Sequence, residues 1–233
     1  MTRRTAPAPT AVAALAAIAL LPLAACTGGS TTTDRVEYRI DESVTALVIG
    51  ARAASVEIAT GDGPVSVTEE HRWSQGRPST AHRVEGTTLR LTEDGCGDDD
   101  ARCAVRYRIR MPAATSLDVT AQAGAIRLDG LAGTVRVVTE AGAVEGRGLS
   151  SDEVTVTTEA GATSLEFAEA PTLVSTSTSL GAVDLRLPRT TAYAVDVRTS
   201  VGPSSVDVDE DAASAHHIEV RTELGAVSIG PLP

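Results

Sequence analysis

Six glycines recur at nearly constant intervals through the second half of the chain. They are separated by 18, 19, 20, 21 and 23 residues and stand at Gly124, Gly142, Gly161, Gly181, Gly202 and Gly225. A repeat of about 20 residues is typical of a solenoid, in which each unit buries its apolar face only against its neighbours. The spacing therefore predicts a stack of similar coils.

Each repeat has the pattern of a strand, a corner at the glycine and a second strand. The residues five, three and one before the glycine are small or aliphatic, as in Val156, Thr158 and Ala160. Because side chains alternate along a strand, we expect all three positions to face inward and to form columns. Glycine suits the corner because it tolerates positive φ and a close backbone approach. The final segment, GPLP at 230–233, predicts an end to strand pairing, since proline lacks an amide donor.

The first half of the chain also alternates with the period of a β-strand. Segments such as RVEYRI and AVRYRIRMP place apolar residues at every second position, with Gly, Pro or Asp between the segments. No window of ten residues favours a helical period. The sequence as a whole therefore predicts an all-β domain.

The order of these motifs resembles a bacterial β-strand-repeat family labelled "putative adhesin", a domain of unknown function. An HRW segment is followed by EGTTLRLTEDGC, then by a second cysteine before VRYRIRMP, and then by the repeats, over Val36 to Ile229. The same order is similar to the variety found in actinobacterial envelope lipoproteins. The resemblance implies a right-handed, mostly parallel β-solenoid with about 20 residues per coil, and it supplies no catalytic residues.

The chain begins with a segment typical of export. Arg3 and Arg4 precede an apolar stretch that Pro22 interrupts and that is shorter than the roughly 20 residues of a membrane span. The stretch ends in LAAC at 23–26, which resembles the lipobox of bacterial lipoproteins and implies a diacylglycerol thioether on Cys26. The alternative is an ordinary secretory signal. The lipoprotein interpretation places the protein at the outer face of the bacterial cytoplasmic membrane, secreted and held by lipid.

Two further cysteines, Cys96 and Cys103, flank the acidic loop GDDDAR. Outside the cytoplasm two nearby cysteines usually pair, which predicts a disulfide in the β segment that precedes the solenoid. A metal site is the alternative, although no second cysteine pair or nearby histidine completes a tetrahedral set. The sequence implies no cofactor.

These features divide the chain into four segments. They are a signal peptide at 1–25, a lipidated flexible tether at 26–34, an N-terminal β segment with the disulfide at 35–112, and the solenoid repeats at 113–230. We expect the last two segments to form one continuous domain. The chain carries a net charge of −11 and has no basic cluster, which argues against nucleic acid as a partner.

Three residues are candidates for a partner surface. Glu140 and Glu159 stand two before their corner glycines, so they are expected on neighbouring coils about 4.8 Å apart. Such a pair could bind Ca²⁺ or act in acid–base chemistry, but it is more simply a pair of solvated carboxylates. Trp73 is either an anchor in a binding loop or a cover for one end of the core, beside a turn at SQGRPS that joins two strands.

The sequence offers little for catalysis. Aromatic residues, which build sugar-binding platforms, make up 2% of the chain, and no Ser-His-Asp order or Cys–His pair is present. We therefore expect a non-enzymatic, membrane-anchored binding or scaffold module for an envelope protein or a cell-wall polymer. One alternative is a polysaccharide hydrolase or lyase that uses Glu140 and Glu159. The other is a structural or signalling accessory without a stable partner.

Overall fold

The computed structural model describes residues 30–96 and 102–232, whose regular structure is all β-strand. The signal segment, Cys26 and the first part of the tether lie outside the described residues. No helix in the described ranges is long and apolar enough to cross a membrane.

Six strands form the first half of the chain and twelve form the repeats of the described residues. The first half contains β1 (Thr32–Ile40), β2 (Ala46–Thr60), β3 (Val65–Trp73), β4 (Thr80–Glu85), β5 (Thr88–Glu93) and β6 (Ala104–Met111). The repeats contain β7 (Ser116–Ala123), β8 (Ile126–Asp129), β9 (Val135–Ala141), β10 (Val144–Leu149), β11 (Glu153–Ala160), β12 (Thr163–Phe167), β13 (Leu173–Leu180), β14 (Val183–Leu187), β15 (Ala194–Val201), β16 (Ser204–Val206), β17 (His217–Leu224) and β18 (Val227–Pro231).

The strands form two sheets that share β2, which passes from one sheet to the other after Ala53. Sheet 1 has the order β1-β3-β6-β2-β8-β10-β12-β14-β18-β16. Sheet 2 has the order β4-β5-β2-β7-β9-β11-β13-β17-β15. The pairings of β1, β3 and β4 are antiparallel and the others are parallel. The predicted all-β, mostly parallel solenoid is confirmed.

The corner glycines form a column through the stack. The amide of Gly142 donates to the carbonyl of Ala160 at 3.0 Å, and the amide of Gly161 donates to that of Leu180 at 2.9 Å. A Cβ added to Gly161 would overlap the carbonyl group of Gly142. The corners therefore stack at the spacing of hydrogen-bonded strands, and a side chain at this position would force neighbouring coils apart.

The core lies between the two sheets and consists of thin aliphatic columns with a threonine ladder. Thr139, Thr158, Thr178 and Thr222 are all buried, as their inward position predicts. The prediction fails for the residue just before each glycine: Leu180 is 57% exposed. The alternation breaks there because both of the residues that precede the corner turn outward.

The coils are not stacked in chain order at the C-terminal end. Along the stack, the coil of β13 and β14 is followed by that of β17 and β18, and the coil of β15 and β16 comes last. The prediction that GPLP ends strand pairing is wrong, since β18 has a neighbour on each side. Pairing with β16 needs only Val227 to Ile229, and Pro231 lies beyond it, opposite Leu187 of β14.

Antiparallel strands close the other end of the stack. β3 and β1 extend sheet 1 beyond β6, and β4 extends sheet 2 beyond β5. Cys96 and Cys103 form the predicted disulfide, with Cα atoms 5.7 Å apart. The bond links the chain that leaves β5 in sheet 2 to the chain that enters β6 in sheet 1.

Replacing one corner glycine tests the close packing of the column. We expect Gly161→Ala to lower the free energy of unfolding by about 3 kcal/mol, because its Cβ would collide with backbone that cannot move alone. Gly50→Ala is the matched control, since a Cβ there meets nothing within 4 Å, and it should change stability by less than about 0.5 kcal/mol. Urea denaturation of both variants measures the difference, and equal effects would contradict the packing argument.

Candidate binding surface

Glu140 and Glu159 occupy one column on the outer face of sheet 2. The register pairs Thr139 with Thr158 and Ala141 with Ala160, so the two glutamates lie on neighbouring strands β9 and β11. Both side chains are exposed to solvent. No group of three or more residues able to hold a metal ion occurs in the described ranges.

Trp73 lies apart from the two glutamates. It ends β3 in sheet 1, opposite Thr32 of β1, and its side chain is half-buried. Residues 74–79 join β3 to β4, but these two strands belong to different sheets and do not pair with each other. The structure therefore does not bring Trp73, Glu140 and Glu159 together in one site.

A ladder of exposed aliphatic side chains stands at the C-terminal end of the stack. Leu180 of β13 pairs with Leu224 of β17, which pairs in turn with Val201 of β15. The three side chains are 57%, 52% and 61% exposed, respectively. Further down the same column the residues are alanines, so the apolar ladder is confined to the last three coils.

Polar rows run beside this ladder on the outer face of sheet 2. In the adjoining row Ser179, Glu223 and Ser200 follow one another, and beyond it Ser177, Arg221 and Arg198 are in register. Arg198 binds Asp196 at 2.7 Å and Arg221 binds Glu219 at 3.3 Å, so each arginine is neutralised within its own strand. A shallow cleft of about 300 Å³ lies among these rows.

We call this surface the C-terminal patch. It consists of the apolar ladder and the two rows next to it: Ser177, Ser179, Leu180, Arg198, Ser200, Val201, Arg221, Glu223 and Leu224. The sequence does contain the signal for it, because the residue before the glycine changes from alanine to leucine or valine in the last three repeats. Because strict alternation predicts that the residue before the glycine faces the core, the sequence pattern did not predict this exposed patch.

A network of buried polar groups lies at the N-terminal end, inside sheet 1. Glu69 and His71 of β3 are 3% and 1% exposed, and their carboxylate and ring nitrogen Nε2 are 2.8 Å apart. The hydroxyl of Tyr38 donates to the other oxygen of Glu69 at 2.6 Å. The carboxylate therefore has two partners, which compensates for part of its desolvation.

A second buried carboxylate explains how β2 can pass between the sheets. Glu93 is 2% exposed and accepts hydrogen bonds from the backbone amides of Arg52 and Ala53 at 2.9 and 2.8 Å. These amides lie at the point where β2 leaves sheet 2 for sheet 1. Glu93 thus satisfies donors that no neighbouring strand reaches at this point, and its role is structural.

Two tyrosines next to these carboxylates, the buried Tyr107 and the half-buried Tyr38, hold their protons firmly. Burial, and then the nearby carboxylate of Glu69, raise the pKa of Tyr107 well above its usual range. Burial and the hydrogen bond to Glu69 do the same to the pKa of Tyr38. The hydroxyl of Tyr107 has no hydrogen-bond partner within the described residues.

The comparisons with known proteins concern the family and the fold. A family model described as Toastrack DUF4097 matches residues 39–229, which confirms the resemblance seen in the sequence motifs. A search of curated proteins finds no match.

A search of solved structures finds proteins similar to this chain, of which two are described here. One is a "putative cell adhesion protein" from Clostridium sporogenes, with 12% identity, a TM-score of 0.53, and coverage of 87% of this chain and 100% of that chain. The other is a "putative adhesin" from Bacteroides fragilis, with 12% identity, a TM-score of 0.49, and coverage of 86% and 98%. At 12% identity the likeness to the Clostridium sporogenes protein shows the fold alone.

The raised pKa values of Tyr38 and Tyr107 predict a loss of stability in alkali. In the native state both tyrosines stay protonated at pH values above the ordinary tyrosine pKa. Their contribution to the free energy of unfolding is therefore complete below pH about 10 and is lost as the pH rises further. We expect Tyr107→Phe to change the free energy of unfolding at pH 7 by less than about 1 kcal/mol and to make the alkaline decline shallower. Urea denaturation between pH 7 and 11 measures both.

Tyr38→Phe is the control for this experiment. It removes the hydrogen bond to buried Glu69 and should therefore cost about 1–3 kcal/mol already at pH 7. If the free energy of unfolding declined identically in alkali for wild type and Tyr107→Phe, the raised pKa of Tyr107 would not be the cause of the decline.

Proposed function

The chain belongs to the Toastrack DUF4097 family, and from this premise we propose that it is a non-catalytic binding module of the bacterial cell surface that holds a protein partner at the C-terminal patch. The observation that carries the proposal is the exposed ladder of Leu180, Leu224 and Val201. The exposure of neighbouring aliphatic side chains to water is unfavourable. A partner that covers these side chains removes that cost, and this favours binding.

The composition of the patch favours a protein over a polysaccharide. A protein interface typically has an apolar centre with a polar rim, and here the ladder borders hydroxyl groups and neutralised arginines. Sugar rings stack on aromatic side chains, and the patch contains none. The cleft beside the ladder gives the polar rim a concave shape into which a partner's side chain fits.

The location follows from the N-terminal segment. We propose that Cys26 is lipidated and that residues 27–34 tether the domain to the outer face of the cytoplasmic membrane. The LAAC motif at 23–26 and the Gly/Ser/Thr-rich composition of the following residues support this. The disulfide is consistent with an oxidising compartment. The adhesion role in the description of the Clostridium sporogenes protein agrees with a surface module.

Cross-linking in the native envelope tests the patch. A photoactivatable residue in place of Ser179, next to the ladder, should give one discrete protein adduct that mass spectrometry identifies. Leu180→Asp together with Leu224→Asp should reduce this adduct at least about tenfold, because charges replace the apolar contact. The thermal midpoint should stay within a few degrees of wild type, since both side chains are exposed.

Ala123→Asp together with Ala141→Asp is the matched control, because it introduces the same two charges at exposed positions of the same column on the outer face of sheet 2, away from the patch. The adduct should persist in this variant. An adduct that survives the double leucine substitution would overturn the assignment of the patch, and a cell-wall fragment in place of a protein would favour a polymer as the partner.

Substitution of Glu140 and Glu159 distinguishes this proposal from an enzyme or a calcium site. We expect Glu140→Gln together with Glu159→Gln to leave the adduct unchanged, because these residues lie outside the patch. Calcium should leave the thermal midpoint of wild type and variant unchanged. An envelope defect in cells that carry this variant would favour the hydrolase or lyase interpretation. A calcium-dependent shift of the thermal midpoint in wild type alone would favour the metal interpretation.

A further inference from the structure

The outer face of sheet 1 carries an excess of positive charge near the N-terminal end of the stack. This is unexpected in a chain whose net charge is −11. Strands β1, β3, β6, β2 and β8 direct seven arginines and four carboxylates outward: Arg35, Arg39, Arg72, Arg106, Arg108, Arg110 and Arg127, against Glu37, Glu57, Glu70 and Asp129. We call this surface the arginine face.

One row of this face is neutralised by its neighbours. Arg108 lies 3.1 Å from Glu57 and also binds Glu70, and Arg127 lies 3.2 Å from Glu145 on the next strand. The hydrogen bond from Arg108 lowers the pKa of Glu70, so the pair stays charged at neutral pH. These arginines are held by carboxylates that the register places opposite them.

The adjacent row has one carboxylate, Asp129, which lies at the end of the row, two strands from Arg110. It runs Arg39, Ser66, Arg110, Ala59 and Asp129 across five strands. Where the neutralised row has Glu57 beside Arg108, this row has Ala59 beside Arg110. Neither Arg39 nor Arg110 makes an ion pair with any described residue, and both are exposed.

These two arginines flank a hydroxyl group at the edge of a cleft. Ser66 lies between them in the register, so their Cα atoms are two strand spacings, roughly 10 Å, apart. A cleft of about 350 Å³ opens beside this row; Arg110, Ser66 and Thr68 line it together with Arg108, Arg127, Glu57 and Asp129, and Arg39 lies outside its lining. The Arg110 side chain runs beside Gly61, which follows β2, so a change of its rotamer is needed to bring its guanidinium group above Ser66.

We propose that the arginine face binds a phosphate group, held between Arg39 and Arg110 with the hydroxyls of Ser66 and Thr68 as further donors. A phosphate presents oxygens in several directions and can accept from two guanidinium groups and a hydroxyl at once. A planar carboxylate is satisfied by one bidentate arginine. The phosphate could belong to a phosphodiester polymer or to a lipid headgroup, and the chemistry at the cleft is the same for both.

Calorimetric titration of the full chain in neutral detergent tests this proposal. The probes are inorganic phosphate, glycerol 3-phosphate as a soluble headgroup, and poly(glycerol phosphate) as a polymer. Arg110→Ala should weaken the binding of each probe about tenfold, and Arg39→Ala should have a similar effect. Arg110→Lys should recover only part of the affinity, because it restores the charge without the planar pair of donors.

Arg136→Ala is the matched control, because Arg136 is an exposed arginine on the outer face of sheet 2 that makes no ion pair with a described residue. It should change the affinity less than twofold. Equal losses from Arg110→Ala and Arg136→Ala, or no binding of any probe, would overturn the proposal. Tighter binding of the polymer than of glycerol 3-phosphate would assign the cleft to a phosphodiester polymer, and equal binding would assign it to isolated headgroups.

Discussion

The fold depends on the close approach of backbone to backbone at one corner of every coil. In that corner the amide of one glycine donates to a carbonyl of the next coil at 2.9–3.0 Å, from Gly124 through Gly181. No Cβ fits between the stacked carbonyl groups. Because the corners keep the spacing of hydrogen-bonded strands, both sheets can remain parallel and in register along the stack. The inward Val and Thr columns then form a core that is thin but continuous.

A repeat that keeps its strands in register also arranges its outward residues in rows. A charge on one coil therefore meets a residue at the same position on the next, and small changes between coils decide the local chemistry. Glu57 neutralises the arginines around it, whereas Ala59, two residues later, leaves Arg110 without a carboxylate. The apolar ladder arises in the same way, when leucine and valine replace alanine in three successive coils of the stack. The C-terminal patch is thus a variation on the repeated corner and strand, whereas the arginine face lies mainly on the strands that precede the repeats.

The two ends of the stack are built differently, and this separates the proposed surfaces. At the N-terminal end, antiparallel β1, β3 and β4 close the sheets over a buried network of Tyr38, Glu69 and His71. At the C-terminal end, β17 and β18 lie between the neighbouring coils, so the last strands in chain order are not at the edge of the stack. The coil of β15 and β16 is left outermost. The arginine face adjoins the closed end and the C-terminal patch adjoins the other, so one domain could engage a phosphate and a protein together.

The sequence by itself determined the all-β class, the coil length, the corner glycines, the disulfide and the inward threonine ladder. It could do so because glycine spacing and the period of two are local properties of the chain. Only the tertiary structure decided the order of the last two coils, since parallel coils of similar sequence can pair in either order. It also decided that Leu180 and Leu224 face solvent, because the chain turns outward one residue before the corner. The rows of the arginine face depend on register between strands up to about 70 residues apart, such as β2 and β8, which no local pattern records.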